Sequence, residues 1–410
     1  MDEIIDPIKG TDVLPISFLY LKLVGAWKPL DSPKWLRLIY DLFTIFMVIL
    51  ICKLLIISDI LCVVFAEENR FAVFKGIVHV TITHLSGWIK MLHVLSRRRS
   101  IVLLVNGCVA KQWNPPRDRH EASILTSFNN SSRRTTIAYT IQVSAAVSML
   151  VLSPVFSSTW FLPINNWYPC NISSPICFWP SYLHQSMGIV AIAVAHVATD
   201  SLIVGFMIQI CTQLNILNHR LLSIHVKLED TTRRQKNPEQ ISAVETLLYH
   251  RETTFNASIL ICIIIICDTD IFFRFADLLS KTFVEVVFIQ FCVGFSVICS
   301  IVYLLAKLSI LSFDFFGTLF YLGGMLSQMF IYCWYGNEVV LNSTKLFHTI
   351  YNMNWVAFQI KTQKKLLLMM LVALSPIQLF EGAIIKVNLD AFINVLKFSY
   401  SAFNILQKSS

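Results

Sequence analysis

The stretch Ser158–Ser181, STWFLPINNWYPCNISSPICFWPS, contains no lysine or arginine, while the connections on either side of it are crowded with both. Arg97, Arg98, Arg99, Lys111, Arg117, Arg119, Arg133 and Arg134 precede it across one apolar run. Arg220, Lys227, Arg233, Arg234, Lys236 and Arg251 follow it across the next. Cationic side chains stay on the cytoplasmic side of a membrane, so the basic connections are expected inside and Ser158–Ser181 outside. Counting apolar runs backward from that connection puts the N-terminus inside. Counting forward puts the C-terminus outside. The expected fold is all-α, a polytopic membrane protein of seven transmembrane helices with a cytoplasmic N-terminus and an external C-terminus.

Composition leads to the same class. Of 410 residues, 55% are hydrophobic and only 14% charged, with a mean hydropathy of +0.64. A soluble domain of this length needs more charge on its surface. The net charge of +8 does not point to nucleic acid, because the basic residues flank apolar runs and orient them in the bilayer. Met1–Ile16 carries Asp2, Glu3, Asp6 and Asp12 without a basic stretch ahead of an apolar core, so no cleavable signal peptide is expected.

A helical span needs about 20 mostly apolar residues. Seven candidates are Leu38–Val63, Phe71–Val94, Ile137–Phe156, Leu183–Ile210, Phe283–Ala306, Leu311–Tyr335 and Val387–Gln407. Two further apolar runs, Ile259–Cys267 and Leu366–Phe380, are short and bounded by charge, and read as cytoplasmic helices. Lys53, Asp59, Lys75, Lys90 and Asp200 fall inside spans, several near ends where long side chains reach the interface. His79, His84 and His196 lack metal-ligand spacing and suit a polar pocket or packing, so no metal or cofactor is expected. Neither a Ser/His/Asp set nor an inverted repeat supports an enzyme or a transporter.

Most of the eleven cysteines lie within apolar runs. Cys170 and Cys177 both fall in the external connection, where oxidation is permitted, and are candidates for a disulfide. Asn171-Ile172-Ser173 is a glycosylation sequon on that same side, whereas Asn129, Asn130, Asn256 and Asn342 fall on cytoplasmic segments.

The last span is amphipathic. At 100° per residue, Asn394, Lys397, Ser401, Asn404 and Lys408 share a stripe with Phe398 and Ile405. Phe392, Val395, Leu396, Ala402, Phe403 and Leu406 lie opposite. Such a stripe cannot face lipid. It either lines a pore made by several copies, with Phe398 and Ile405 as apolar rings, or forms a seam hydrogen-bonded to the chain's own helices.

The C-terminal third resembles the insect odorant receptors. The matching elements are Tyr332-Cys333-Trp334-Tyr335-Gly336-Asn337-Glu338, Tyr351 with Trp355, and Lys364-Lys365-Leu366-Leu367-Leu368-Met369-Met370. Ser375-Pro376, Gly382, Asn388-Leu389-Asp390-Ala391-Phe392 and Leu396-Lys397-Phe398-Ser399-Tyr400-Ser401 follow in order. Two departures stand out. Ser399-Tyr400 and Gln407-Lys408 miss the spacing of the gustatory sister family, and the apolar stretch near residues 255–267 reads as an insertion.

The resemblance implies a tetrameric, ligand-gated, non-selective cation channel in the plasma membrane of a sensory neuron dendrite. This chain would be an odorant-tuning subunit paired with a shared co-receptor. Residues 1–335 would form the bundle of spans one to six, residues 336–386 the cytoplasmic anchor helices and residues 387–410 the pore-lining span. Pore and gate positions would be Phe398, Ser401, Ile405, Lys408 and Ser409. A pocket for small volatile organic ligands would lie in the outer half of the bundle, formed by His79, Val80, Thr83, Ser148, Val151, Val155, Met187, Val190, Phe316 and Phe320. A gustatory-type channel is one alternative. A G-protein-coupled receptor is another, but it requires the opposite orientation and carries Asp/Glu-Arg-Tyr and Asn-Pro-x-x-Tyr motifs absent here.

The charge asymmetry gives a direct test. Epitopes placed beside Arg98 or Arg134 are expected to be inaccessible from outside intact cells, with any glycan on Asn171. A glycan on Asn130 or Asn342 would overturn the orientation.

Overall fold

The computed structural model describes residues 14–408 except 29–32, 66–69, 110–115, 157–160, 165, 235–242, 311, 353–359 and 381–385. Side chains are described throughout except at 50–52, 70–75, 109, 156, 224–234, 243–270, 313, 361, 362, 365, 369, 372, 373 and 405–408. Every regular element among the described residues is helical. In chain order these are α1 (Pro15–Leu23), α2 (Lys34–Ile45), α3 (Leu54–Val64), α4 (Arg70–Ser96), α5 (Arg98–Val109) and α6 (Arg119–Phe156). They are followed by α7 (Pro175–Arg234), α8 (Ala243–Leu305), α9 (Phe313–Asn352), α10 (Ile360–Ala373) and α11 (Leu389–Lys408). A π-helical stretch, Phe46–Lys53, joins α2 to α3, and the Trp88 indole donates to the carbonyl of Val48 within it at 3.1 Å.

The helix starts follow from local chemistry. Asp118 Oδ1 accepts from the backbone N–H of Glu121, and Glu121 Oε2 accepts from that of Arg117, a reciprocal cap opening α6. Ser312 Oγ caps α9 through the Phe315 N–H, and Asn388 Oδ1 caps α11 through the Ala391 N–H. α7 opens on Pro175, whose missing N–H costs nothing at a first helical position.

α7 is the central post. Ser201–Leu214 is buried at every position, as a mostly apolar helix surrounded by others requires. α1, α4, α6, α8 and α9 pack around it. At 60 residues α7 is about 90 Å long, three times a bilayer's hydrocarbon thickness, so it extends well beyond its span. The outer surface of α2 exposes Trp35, Leu38, Ile39, Leu42 and Ile45, which suits lipid rather than water. α1 has no counterpart among the expected elements. It tucks Phe18 and Leu21 against α7, with Ser17 Oγ 2.9 Å from Ser201 Oγ.

Five of the helical segments are long and apolar enough to cross a membrane: Lys34–Val64, Arg119–Val155, Pro175–Ser223, Ile271–Leu305 and Asp314–Asn352. The second and seventh expected spans form α4 and α11, which are helical but less apolar. Their polarity has an identifiable source. His79, His84 and Lys90 interrupt α4, and Asn394, Lys397, Ser401 and Asn404 interrupt α11.

α9 runs through residue 336 without interruption, so the expected boundary there falls within one helix. Ile259–Cys267 likewise lies within the continuous α8. α10 ends ahead of Ser375-Pro376, and the following turn folds back on the bundle. There Ile377 N–H donates to Ser343 Oγ and Phe380 N–H to Ser280 Oγ, each at 3.1 Å.

At Gly336 the backbone of α9 lies against the chain just ahead of α11. A Cβ at this position would collide with the Val387 carbonyl just ahead of α11, and only glycine lets α9 pass. Gly336→Ala is expected to destabilise the protein by about 1–3 kcal/mol through overpacking. Surface expression and thermal unfolding would report it. Gly324→Ala, where an added Cβ has nothing within 4 Å, is expected to leave surface expression intact and to raise thermal stability by up to about 1 kcal/mol through helix propensity.

Candidate functional site

A cavity of about 510 Å³ opens between α4, α6, α7 and α9, at the end of the bundle that carries the Ser158–Ser181 connection. Its sides are apolar: Val143, Val147 and Leu150 from α6, and Ile189 and Ile192 from α7. Phe161, Leu162 and Pro163 cover it. That cover is fixed in place. The Gln185 side chain brackets Ile164, accepting from its N–H at 3.0 Å and donating to its carbonyl at 2.9 Å. Asn166 Nδ2 donates to Asp59 Oδ1 at 2.5 Å, and Ser58 Oγ donates to the Trp167 carbonyl at 2.6 Å. A disulfide between Cys170 and Cys177 closes the loop beyond, where Asn171 is exposed.

The base of the cavity is polar, lined by Tyr139, His196 and Gln328, and behind these lies a buried ion pair that does not itself border the cavity. Lys90 Nζ lies 2.5 Å from Asp200 Oδ1, with Lys90 2% and Asp200 0% exposed. Tyr332 donates to Oδ1 at 2.8 Å, Tyr139 donates to Oδ2 at 3.1 Å, and Gln328 Nε2 also donates to Oδ2. His196 Nδ1 stands 3.1 Å from the Lys90 ammonium. A buried carboxylate is tolerable only when paired and hydrogen-bonded, and this one has a cation and three further donors. The expectation that charges inside the spans reach the interface fails for Lys90, Asp200 and Asp59. All three are buried, Asp59 beside His84 Nδ1 at 2.8 Å. Each is matched by a partner on a neighbouring helix, which removes any need to reach water. Lys53 alone is exposed, and the side chain of Lys75 is outside the described residues.

At the opposite, basic end, Arg220 Nε and Nη2 each reach a different carboxylate oxygen of Glu121 at 2.8 Å. This bidentate pair locks α6 to α7. Among the described residues no cluster of histidine, cysteine, aspartate or glutamate could hold a metal ion.

The profile of the 7tm odorant receptor family matches residues 71–400. The chain belongs to this family. Odorant receptor Or1 of Anopheles gambiae is 22% identical over 98% of this chain and 96% of its own length. Odorant receptor 46a, isoform B, of Drosophila melanogaster is 25% identical over 95% and 96% respectively. The structure of the olfactory receptor OR5 from Machilis hrabei in complex with eugenol superposes with a TM-score of 0.79 at 14% identity, covering 99% of this chain and all of that one. The fold is therefore that of an insect olfactory receptor. The protein is a multi-pass membrane receptor and not an enzyme.

Of the receptor's ten expected pocket residues, His79, Val80 and Thr83 border the cavity. Ser148, Val151, Val155, Met187, Val190, Phe316 and Phe320 do not. The helices and turns are those expected, but the phase is shifted. On α6 the inward stripe is 143, 147, 150, so Ser148 and Val155 are exposed, and Val151 instead offers its carbonyl to the Tyr182 hydroxyl at 2.9 Å. On α7 Ile189, Ile192 and His196 face in, while Met187 and Val190 face out. On α9 Gly317, Thr318 and Tyr321 face in, and Phe316 and Phe320 are more than 40% exposed. The sequence carries a signal for the face of α9 that borders this cavity. Asp314, Thr318, Tyr321, Gln328 and Tyr332 recur at helical spacing along an apolar span, and the polar side of a membrane helix turns inward.

On α11, Phe392 and Val395 pack on the core and Ser399 is buried, whereas Asn394, Lys397, Phe398 and Ser401 are exposed. The polar stripe thus points away from the receptor's own bundle, and Ser401 Oγ donates only to the Lys397 carbonyl of its own helix. The described part of the stripe is not a seam within the chain. Ile405 and Lys408 are described as backbone only, and Ser409 lies outside the described residues.

The Asp200 cluster sets a stability test. Lys90→Met leaves a carboxylate buried without its cation and is expected to cost about 3–5 kcal/mol. Asp200→Leu added to it is expected to recover part of that loss, measured by thermal unfolding and surface expression.

Proposed function

We propose that this receptor is the odorant-binding subunit of a ligand-gated, non-selective cation channel that assembles with a co-receptor subunit as a heterotetramer. The observation that carries the reading is the orientation of α11. A polar helical stripe turned away from its own bundle is costly against lipid and is satisfied by water in a pore shared between subunits. In this reading seven helices cross the plasma membrane of a sensory dendrite, with the N-terminus inside and the C-terminus outside. Residues 336–386 form the anchor between subunits. Phe398 and Ile405 supply apolar rings, Ser401 and Ser409 line the path, and Lys408 sits at its mouth, where the other subunits dilute its charge. The cavity between α4, α6, α7 and α9 takes the odorant, because it is concave, mostly apolar and of a size that suits small volatile molecules. Asn171 carries a glycan on the external loop.

Cysteines placed singly at Ser401, Ile405 and Ser409 are expected to react with water-soluble thiol reagents and block odorant-evoked current in cells that also express the co-receptor. Cysteines at Ala402 and Leu406 are expected to react far more slowly. Equal reactivity on both faces would sink the pore assignment.

A further inference from the structure

The buried polar groups around the cavity are already engaged with one another, with one exception. His84 Nδ1 is held by Asp59 at 2.8 Å, and His196 contacts Lys90 through Nδ1 and the Thr83 carbonyl through Nε2, each at 3.1 Å. Gln328 is taken by Asp200 and by the amide of Gln290. Tyr321 shares its hydroxyl with that of Thr83 at 2.5 Å. His79 is different. It is 7% exposed, lines the cavity, and its Nδ1 has no hydrogen-bond partner among the described residues. The Tyr321 ring stands 6.0 Å away, and its hydroxyl reaches only the backbone carbonyl of His79. A polar atom sealed from water and left unpaired carries its full desolvation cost, and a turn of the ring that brings it to the cavity lets a ligand relieve that cost.

Resting on the reading of this cavity as the odorant site, we infer that His79 is its hydrogen-bonding recognition residue. The ligand class is then a small, uncharged, mostly apolar molecule bearing one hydroxyl group, an alcohol or a phenol. Three observations define that class. The walls are apolar and the volume of about 510 Å³ admits a molecule of modest size. Lys90, Asp200 and Asp59 are already paired, and Asp314 is exposed at the start of α9, so a charged ligand finds no buried counter-ion. A neutral imidazole has one donor and one acceptor nitrogen, and a half-turn of the ring exchanges which of them faces the void. A hydroxyl pairs with either. A carbonyl oxygen pairs only with the N–H, and a hydrocarbon with neither.

Four compounds on one carbon skeleton test the inference: ethylbenzene, acetophenone, 1-phenylethanol and 1-phenylethylamine. Each would compete with a fluorescent apolar probe on the purified full chain in lipid nanodiscs. 1-Phenylethanol is expected to bind about tenfold more tightly than ethylbenzene. His79→Leu is expected to abolish that difference while leaving ethylbenzene binding equal or tighter, and His79→Gln, which keeps a donor and an acceptor, to retain it. An equal loss for all four compounds in His79→Leu, tightest binding by the amine, or failure of all four to displace the probe would each overturn the inference. Current recorded with the co-receptor separates the two readings. Alcohol-selective binding without current leaves the ligand class standing and removes the channel, whereas alcohol-evoked current indifferent to His79→Leu does the reverse.

Discussion

The carboxylate of Asp200 dictates where four helices meet. Burying it without compensation would cost several kcal/mol, and the receptor meets that cost with groups from three of the helices around α7. Lys90 comes from α4, Tyr139 from α6, and Gln328 and Tyr332 from α9. Because every donor must reach the same two oxygens, none of these helices can slide by a residue or turn by 100° without stranding a polar group in an apolar interior. The ion pair therefore does more to fix register than to add net stability. Apolar side chains such as Leu202, Phe206 and Met207 fill space around it and tolerate alternatives that hydrogen bonds do not.

That fixed register is what leaves a cavity. Where four helices are held apart by a shared polar floor, the side chains one to three turns above must fill the gap or leave it open. Here they are medium-sized or absent: Val143, Val147, Ile192, Gly317 and Gly324. Phe161, Leu162 and Pro163 border the top, in a connection tied down where Ile164, Asn166 and Trp167 bond to Gln185, Asp59 and Ser58. The result is apolar on its sides and polar at its base, with most of that polarity already used internally. Affinity in such a space comes from shape and dispersion, and selectivity from the few polar atoms still free.

Much of this was legible in the sequence, for reasons that differ by residue. Hydropathy and the placement of Arg97–Arg99 and Arg133–Arg134 gave the membrane class, because both act through bulk solvent and need no knowledge of neighbours. The pairing of Cys170 with Cys177 was readable because the two are close in sequence in a segment of permissive redox state. The α11 stripe was legible because helical periodicity is local. The ion pair was not. Lys90 and Asp200 are 110 residues apart, and nothing in either span announces the other. Taken singly, each looks like a charge reaching for the interface. The cavity phase was missed for a related reason. Apolar residues cover both the lipid face and the cavity face of a span, so Phe316 and Phe320 look as suitable as Tyr321 until the polar residues are traced along the helix.

α9 binds these features into one element. Its first turns border the cavity through Gly317, Thr318 and Tyr321, its middle holds Asp200 through Gln328 and Tyr332, and Gly336 passes beneath the Val387 carbonyl at the entry to α11. No proline interrupts its 40 residues. Its least helix-favouring point is the pair Gly323-Gly324, each costing about 1 kcal/mol relative to alanine. Packing accounts for the first of these glycines, since a Cβ at residue 323 would lie 2.9 Å from Gln142 Nε2. It does not account for the second, where a Cβ would meet only open space. The least helix-favouring turn of the helix that joins cavity, ion pair and α11 therefore lies at the level of the cavity itself, which Gly324 borders, one to two turns from the groups that hold Asp200.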